Sequence, residues 1–433
     1  MKTDNRAPAL MLTPAEKIPL QSWMICEETQ AVLSALRGEG RREKNTSAAP
    51  AALAPAALFV GGSVRNALLG QAVEDIDIAT PHLPEMVMAL LEGQGIKAIP
   101  TGIDHGTVTA VLNGRHFEIT TLRKDVSTDG RRAVVAYTDD WAQDAARRDF
   151  TMNTLLADDT GQIFDPLGCG LDDLRARKIT FVGQADARIK EDYLRILRYF
   201  RFHAQYGFAL SAEAADFKAC TENADGLARL SKERITQEFF KILAADNSAE
   251  ILRVMLAHQI LPAFAPLATH MTLLKDVCNF QKNYGLISLS ARLYVLGGCA
   301  AANHSPLPPP ILETLLIPKV FQKDAATYQQ ALSMDDMAEP RTVRRVLYRC
   351  GRMAAAQVLM ISLAQDRVMN GYVPKALEII QNWDIPDCPV SGEDMIKAGI
   401  PSGPQIGDIL ERLEQHWIES DFTLSKDRLM SML

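Results

Sequence analysis

Between Gly61 and Ala79 the chain reads GGSVRNALLGQAVEDIDIA. Its two aspartates, Asp75 and Asp77, are separated by one isoleucine. Successive side chains of a strand point to opposite faces, so both carboxylates fall on one face while Ile76 and Ile78 turn to the core. Two like charges held side by side invite a divalent cation, and oxygen ligands favour Mg²⁺. A pair of such ions, about 3.5–4 Å apart, activates an attacking hydroxyl and neutralises a departing pyrophosphate. Upstream, Gly61 and Gly62 follow the apolar run ALFV and open a helical pattern. Their backbone N–H groups, with no Cβ in the way, can approach a triphosphate, and Ser63 and Arg65 add a hydroxyl and a fixed cation. A lone Gly-Gly is a plain turn and a lone Asp-x-Asp a solvated strand edge; together, in this order, they point to phosphate chemistry at a metal. Glu118, in RHFEITTL, is the candidate third carboxylate.

Two further stretches carry matching chemistry. RRDFTMN, Arg147 to Asn153, sets two arginines beside an aspartate. A guanidinium from Arg148 suits phosphate or base, and Asp149 suits a ribose hydroxyl. EDYLRILRYFRF, Glu191 to Phe202, reads as one amphipathic helix with Tyr193, Ile196, Leu197 and Phe200 as its buried stripe. Glu191 and Arg195, four apart, can lock each other in place. Asp192 and Arg195 then present a hydrogen-bond acceptor beside a donor, which complements the amino group and ring nitrogen of cytosine and of adenine. Uracil and guanine offer the opposite order and would leave buried polar groups unpaired. Arg198 shares the flank of Glu191, whereas Arg201 falls about half a turn from Asp192, so one straight helix cannot aim all these charges at one ligand.

The elements needed to position these residues follow from periodicity. ALFV, DIDIA, TVTAVL and RHFEITTL read as strands, the last two joined by Asn113-Gly114, a strong hairpin signal. SVRNALLG and PEMVMALLEGQG read as helices between them, giving a mixed sheet to about Asp159. An amphipathic helix is expected over Gln21 to Leu36, followed by a linker rich in Ala, Pro, Gly and Ser up to residue 56. From Asp192 onward the pattern is helical throughout. The expected organisation is residues 1–56 as helix and linker, 57–160 as a catalytic head, 161–250 as a helical neck and 251–433 as helical body and tail.

Composition bounds the rest. With 433 residues, 47% hydrophobic and 23% charged, the chain can bury more than one core. It shows no apolar run of membrane-spanning length and no signal-peptide pattern at its start, so a cytoplasmic location is the default. Seven scattered cysteines without a Cys-x-x-Cys pair indicate neither disulfides nor zinc. A net charge of −7 requires any RNA to meet a local basic face, and Arg341, Arg344, Arg345, Arg349 and Arg352 could supply one.

Taken in order, GGSVRNALLG with DIDIA, FEITTLR, RRDFTMN and EDYLRILRYFRF resemble the class II tRNA nucleotidyltransferases (CCA-adding enzymes) and the related bacterial poly(A) polymerases. The likeness spans Leu58 to Phe208. It implies an α+β chain: a mixed-sheet head of the polymerase-β-like nucleotidyltransferase type, with a five-stranded sheet, and then all-helical neck, body and tail domains that hold the tRNA acceptor arm. It also implies that Gly62 and Arg65 contact the nucleotide, that Asp75 and Asp77 bind the metal, and that Glu118 is the third carboxylate. Arg148, Asp192, Arg195, Arg198 and Arg201 match nucleotide-binding positions. Asn66 departs from the family, which usually has Asp there. KDVSTDGRRA, Lys124 to Ala133, resembles the family's flexible loop, and SGEDMIKAGIPSGPQIGDILERLEQHW, Ser391 to Trp417, a segment common near its C-terminus. The implied activity is template-independent addition of C, C and A to the tRNA 3′ end from CTP and ATP, with Mg²⁺. A poly(A) polymerase, a CC-only or A-only enzyme, and an inactive RNA-binding protein are the alternatives.

Overall fold

The computed structural model describes residues 12–39, 55–128, 133–299, 305–334 and 337–433. The chain divides into two compact units, residues 1–230 and 231–433. The boundaries expected near 160 and 250 lie inside the first and second unit respectively.

The first unit is built on one mixed sheet. Its elements are β1 (Pro14–Lys17), α1 (Ser22–Ile25), α2 (Glu27–Arg37), β2 (Leu58–Val60), α3 (Gly62–Leu68), β3 (Ile76–Thr80), α4 (Pro84–Glu92), β4 (Lys97–Gly102), β5 (Thr107–Leu112) and β6 (Arg115–Thr121). There follow β7 (Arg123–Thr128), β8 (Ala133–Tyr137), α5 (Trp141–Ala146), β9 (Leu156–Ala157), β10 (Gln162–Phe164), α6 (Gly170–Arg175), α7 (Ala185–Glu191), α8 (Leu194–Tyr206) and α9 (Ala215–Glu222). The sheet order is β1-β10-β9-β2-β3-β6-β5-β4, and β7 and β8 form a separate ribbon. Five adjoining strands, β2-β3-β6-β5-β4, carry the expected head; β9, β10 and β1 extend it to eight, because the short runs after Leu155 and around Pro14 complete the edge beside β2.

The Asn113-Gly114 hairpin forms between β5 and β6. Both residues take positive φ, 49° and 79°, which the right-handed twist of a two-residue hairpin demands. The expected first helix is instead two, because Cys26 is extended (φ −64°, ψ 154°) between α1 and α2. Trp23 of α1 stands edge-on to Phe59 at 4.8 Å. By strand alternation Phe59, Ile76, Ile78, Phe117 and Ile119 share the buried face, all at most 6% exposed, which leaves Asp77 and Glu118 on the other. On that other face Leu58, Val60, Ala79, Leu122, Trp141, Leu156 and Phe164 form a second cluster. Of the Lys124–Ala133 segment, both ends lie in the β7–β8 ribbon and residues 129–132 lie outside the described residues.

Among the described residues no strand follows Phe164. The second unit comprises α10 (Lys232–Ala244), α11 (Ser248–Ala257), α12 (Met271–Tyr284), α13 (Leu289–Leu296), α14 (Pro309–Thr314), α15 (Lys319–Leu332), α16 (Pro340–Ala364), α17 (Val373–Asn382), α18 (Gly392–Lys397), α19 (Pro404–Glu419) and α20 (Lys426–Met430). α16 is kinked at Gly351 (φ 79°, ψ 168°), a conformation open to glycine. Val390, Met395, Leu413, Trp417, Ile418 and Leu429 form a separate small core at the C-terminal end. No helix among the described residues is long and apolar enough to cross a membrane.

Candidate active site

The strand β2 ends at Val60 and the chain turns through Gly61 at φ 69°, ψ −121° into α3. A Cβ at Gly61 would stand 3.8 Å from Arg148 Nη1 and 3.9 Å from Asp77 Oδ2, and one at Gly62 would stand 3.6 Å from Arg65 Nη2. The glycine turn is thus walled by two guanidiniums and one carboxylate. Ser63 is buried and its Oγ donates to the Val60 carbonyl at 3.1 Å, so this hydroxyl closes the turn from inside.

β3 and β6 pair in parallel with Asp77 opposite Glu118. Asp77 is half-buried, while Asp75, just before β3, and Glu118 are exposed. Burial first, then the charge of Glu118 and that of Asp75, push the Asp77 carboxyl up to about 6, against the pull of Arg148 and Arg65. Asp75 and Asp77 have the chemistry to hold a divalent cation. Among the described residues no three Asp, Glu, His or Cys side chains converge as a ready-made cage.

The arginines are placed by a residue the motif reading passed over. Asp144 of α5 is 3% exposed and accepts from Arg147 Nε at 2.9 Å with one oxygen and from Arg148 Nη2 at 2.9 Å with the other. Burial alone would raise this carboxyl, but Arg148 and Arg147 hold it below its ordinary value. The signal was present, since Asp144 lies three and four residues before the pair on a helical pattern. Asp149, read as a ribose contact, accepts from Phe150 N and Asn153 Nδ2, both at 2.9 Å, and from Arg198 Nε at 2.6 Å. Its burial is opposed chiefly by Arg198, which keeps it ionised below the usual carboxylate range.

The expected continuous helix through Glu191–Phe202 is broken. α7 ends at Glu191, Asp192 is extended (φ −156°, ψ 105°), and α8 begins at Leu194. The cause is local: Asp192 Oδ1 accepts from the Leu194 N–H at 3.1 Å, the alternative that a short acidic side chain offers at a helix start. The Tyr193 ring sits at the break against Gly226, where a Cβ would come 2.0 Å from its Cδ1, and Arg229 lies over the ring at 5.3 Å. Asp192 and Arg195 therefore do not share one helical face. The Glu191–Arg195 pair does form, at 2.8 Å, and Glu191 also accepts from Arg188. Arg188, unforeseen and 9% exposed, donates to the backbone carbonyls of Arg147 and Arg148, tying α7 to the RRD segment.

With the break, the objection to Arg201 dissolves. α8 is buried around most of its circumference, Tyr199 and Phe202 included, whereas Tyr193 is only half-buried. The guanidiniums of Arg65, Arg198 and Arg201 lie 5.1, 5.6 and 4.3 Å from the centre of the Phe202 ring. Arg65, 7% exposed, is held by Asn153 Oδ1 and Asn66 Oδ1, and burial pulls its guanidinium below the ordinary value. Asn66 Oδ1 also accepts from Tyr206 Oη at 2.9 Å, while its Nδ2 donates to the Ala72 carbonyl at 3.1 Å. The amide thus does what a carboxylate could do for Arg65 and adds a tether to the turn before β3.

In the second unit the expected basic face is partly consumed. Arg344 pairs with Asp421, Arg349 donates to Gln415, and Arg352 donates to the carbonyls of Ile380 and Gln381 in the last turn of α17 and of Trp383 just after it.

The chain is 35% identical over 390 residues to the human mitochondrial CCA tRNA nucleotidyltransferase 1, covering 87% of this chain and 86% of that one. It is 34% identical over 391 residues to the CCA-adding enzyme of Geobacillus kaustophilus, covering 87% and 92%. This chain belongs to the class II CCA-adding enzymes. Within that family, residues 57–180 match the poly A polymerase head domain, and residues 207–271 match the probable RNA and SrmB-binding site of polymerase A. The Bacillus stearothermophilus CCA-adding enzyme in complex with CTP superposes with a TM-score of 0.74 at 29% identity, over 94% of this chain and 97% of that one. The Thermotoga maritima CCA-adding enzyme complexed with tRNA shares the fold, with a TM-score of 0.62 at 20% identity over 96% and 98% of the two chains.

Proposed function

We propose that this CCA-adding enzyme extends the tRNA 3′ end by C, C and A without a nucleic-acid template, taking CTP and ATP and releasing pyrophosphate. The observation that carries the reading is the parallel register of Asp77 with Glu118, beside a glycine turn lined by Arg65 and Arg148. It sets an acidic pole for metal and hydroxyl against a cationic pole for triphosphate.

In this reading Asp75 and Asp77 hold Mg²⁺, which when bound favours ionisation of the 3′-hydroxyl and neutralises charge on the leaving pyrophosphate. Glu118, on the same face, adds negative charge that favours proton loss from that hydroxyl. Gly61 and Gly62 let the phosphates approach the backbone, and Arg65, Arg198 and Arg201 receive their charge. Arg148, fixed by Asp144, faces the turn beside Asp77. Asp192 supplies the acceptor and Arg195 the donor for the base edge. Asp192 keeps acceptor capacity while bonding Leu194 N, because an ionised carboxylate offers about four lone-pair sites. Arg195 is oriented by Glu191, and Asp149 acts through Arg198 while Ser63 acts by closing the turn. The helical second unit is read as the tRNA grip.

The test is extension of tRNA ending at the discriminator base, at C and at CC, with each nucleotide supplied separately. Ordered addition of three nucleotides followed by arrest is expected. A long A ladder, or arrest after CC, would contradict the full reading.

A further inference from the structure

Three guanidiniums converging on one buried ring is an arrangement with a cost. Like charges brought together in a low-dielectric region repel; the Asp149 carboxylate offsets this at Arg198, and the ring's negative face acts on all three. Phe202 is 2% exposed. Phe150 meets it edge-on at 5.3 Å and 88°, and Tyr206 lies nearly parallel to it at 6.0 Å and 17°. Phe150 belongs to the RRDF segment and Tyr206 to the last turn of α8, so two elements fix the plane of this ring. Arg65 reaches it from α3, and Arg198 and Arg201 reach it from α8; all three lie within the roughly 6 Å over which a cation is attracted to a ring face. Arg65 also runs beside Gly62, lies over the Tyr206 ring at 5.0 Å, and donates its hydrogen bonds to the neutral amide oxygens of Asn66 and Asn153, which orient the cation without cancelling its charge.

We propose that Phe202 is a positioning residue for the triphosphate: its ring gathers Arg65, Arg198 and Arg201 into one cationic patch beside the glycine turn, ready for the phosphates before they arrive. The inference rests on the reading of that turn as the nucleotide site. It makes the patch independent of the base, so CTP and ATP depend on it equally.

The test replaces Phe202 in the full chain by 4-fluoro-, 3,5-difluoro- and 3,4,5-trifluorophenylalanine, which keep the shape and progressively weaken the negative ring face, with Phe202→Leu and Phe202→Met beside them. Calorimetry with inorganic tripolyphosphate should show affinity falling stepwise along the fluorine series, about tenfold by its end and at least as far in Phe202→Leu. KM for CTP and for ATP should rise by the same factor while KM for tRNA holds. Tripolyphosphate affinity within twofold across a folded fluorine series would overturn the inference, as would a rise in KM for only one nucleotide. A wild type that adds nothing to tRNA yet binds tripolyphosphate with this dependence on the ring would sink the functional reading and leave the positioning role standing.

Discussion

Asp77 is where stability and chemistry conflict most plainly. Its carboxyl titrates at about 6 in the fold instead of near 3.8, so the folded protein favours the protonated form. In the metal-free protein the penalty is absent below pH 4, grows between about 4 and 6, and is complete above 6, reaching about 3 kcal/mol. Asp77→Asn should therefore stabilise the metal-free protein against urea at pH 7.5 by about that amount, with the gain vanishing as pH falls towards 4. The same variant should lose nucleotide transfer. Asp144 makes the opposite case: it is buried and holds two guanidiniums, so Asp144→Ala should cost about 3–5 kcal/mol by stranding both charges. Equilibrium unfolding checks this, and a loss below 1 kcal/mol would mean that Arg147 and Arg148 find other partners. That Asp77 and Glu118 share one face was legible because strand alternation is a rule of two, whereas Asp75, expected on the same strand, sits in the bend just before β3. Asp144 stands at helical spacing before Arg147 and Arg148, but outside the RRDFTMN stretch itself. Arg188 and Phe202 were not legible as site residues, since their partners are backbone carbonyls and guanidiniums brought in by the tertiary fold.

At the scale of elements, the junction between α7 and α8 is the place where the proposed function puts base selection, with Asp192 extended between the two helices. Periodicity predicted one helix there because the apolar spacing continues across Asp192, and periodicity is blind to a single residue whose side chain caps a new turn. The break lets Asp192 leave the helical wheel while Arg195 stays tied to Glu191. Tyr193 wedges the junction against Gly226, which has no room for a methyl group. Gly226→Ala should displace that ring and erode discrimination against UTP and GTP at least tenfold while CMP transfer falls far less, and Tyr193→Leu in the same chain should recover part of it. Competition between CTP and UTP on one primer measures this, and unchanged discrimination in a folded Gly226→Ala protein would remove the wedge from the account. The hairpin at Asn113-Gly114 was readable because its turn chemistry is local, whereas the sheet's growth to eight strands was not, because two- to four-residue edge strands carry almost no pattern of their own.

At the scale of the molecule, the second unit carries its own internal joint. Before Gly351, α16 belongs with the C-terminal core through Arg344–Asp421 and through Tyr348, which bonds Glu414 at 2.6 Å and packs on Trp417 and Phe422. After Gly351 the helix is buried from Ala355 to Leu363. Gly351→Ala forces a side chain into a conformation that costs of order 1–3 kcal/mol and should re-aim the C-terminal core. If that core helps grip tRNA, KM for tRNA should rise severalfold while KM for CTP stays level; steady-state kinetics with each substrate varied in turn decides it. The long helical pattern of this half was plain in the sequence, but arginines at helical spacing did not reveal that several of them serve the protein's own carbonyls and carboxylates.

The proposed function divides the labour: acidic side chains on two neighbouring strands perform the transfer and the α7–α8 junction selects the base. It is tested most directly by single-turnover incorporation of CMP and UMP into one tRNA primer by the wild type, Asp77→Asn and Asp192→Ala proteins. Asp77→Asn is expected to lose both incorporations at least a thousandfold, while Asp192→Ala retains CMP transfer and gains UMP. Normal turnover by Asp77→Asn, or continued exclusion of UTP by Asp192→Ala, would contradict it.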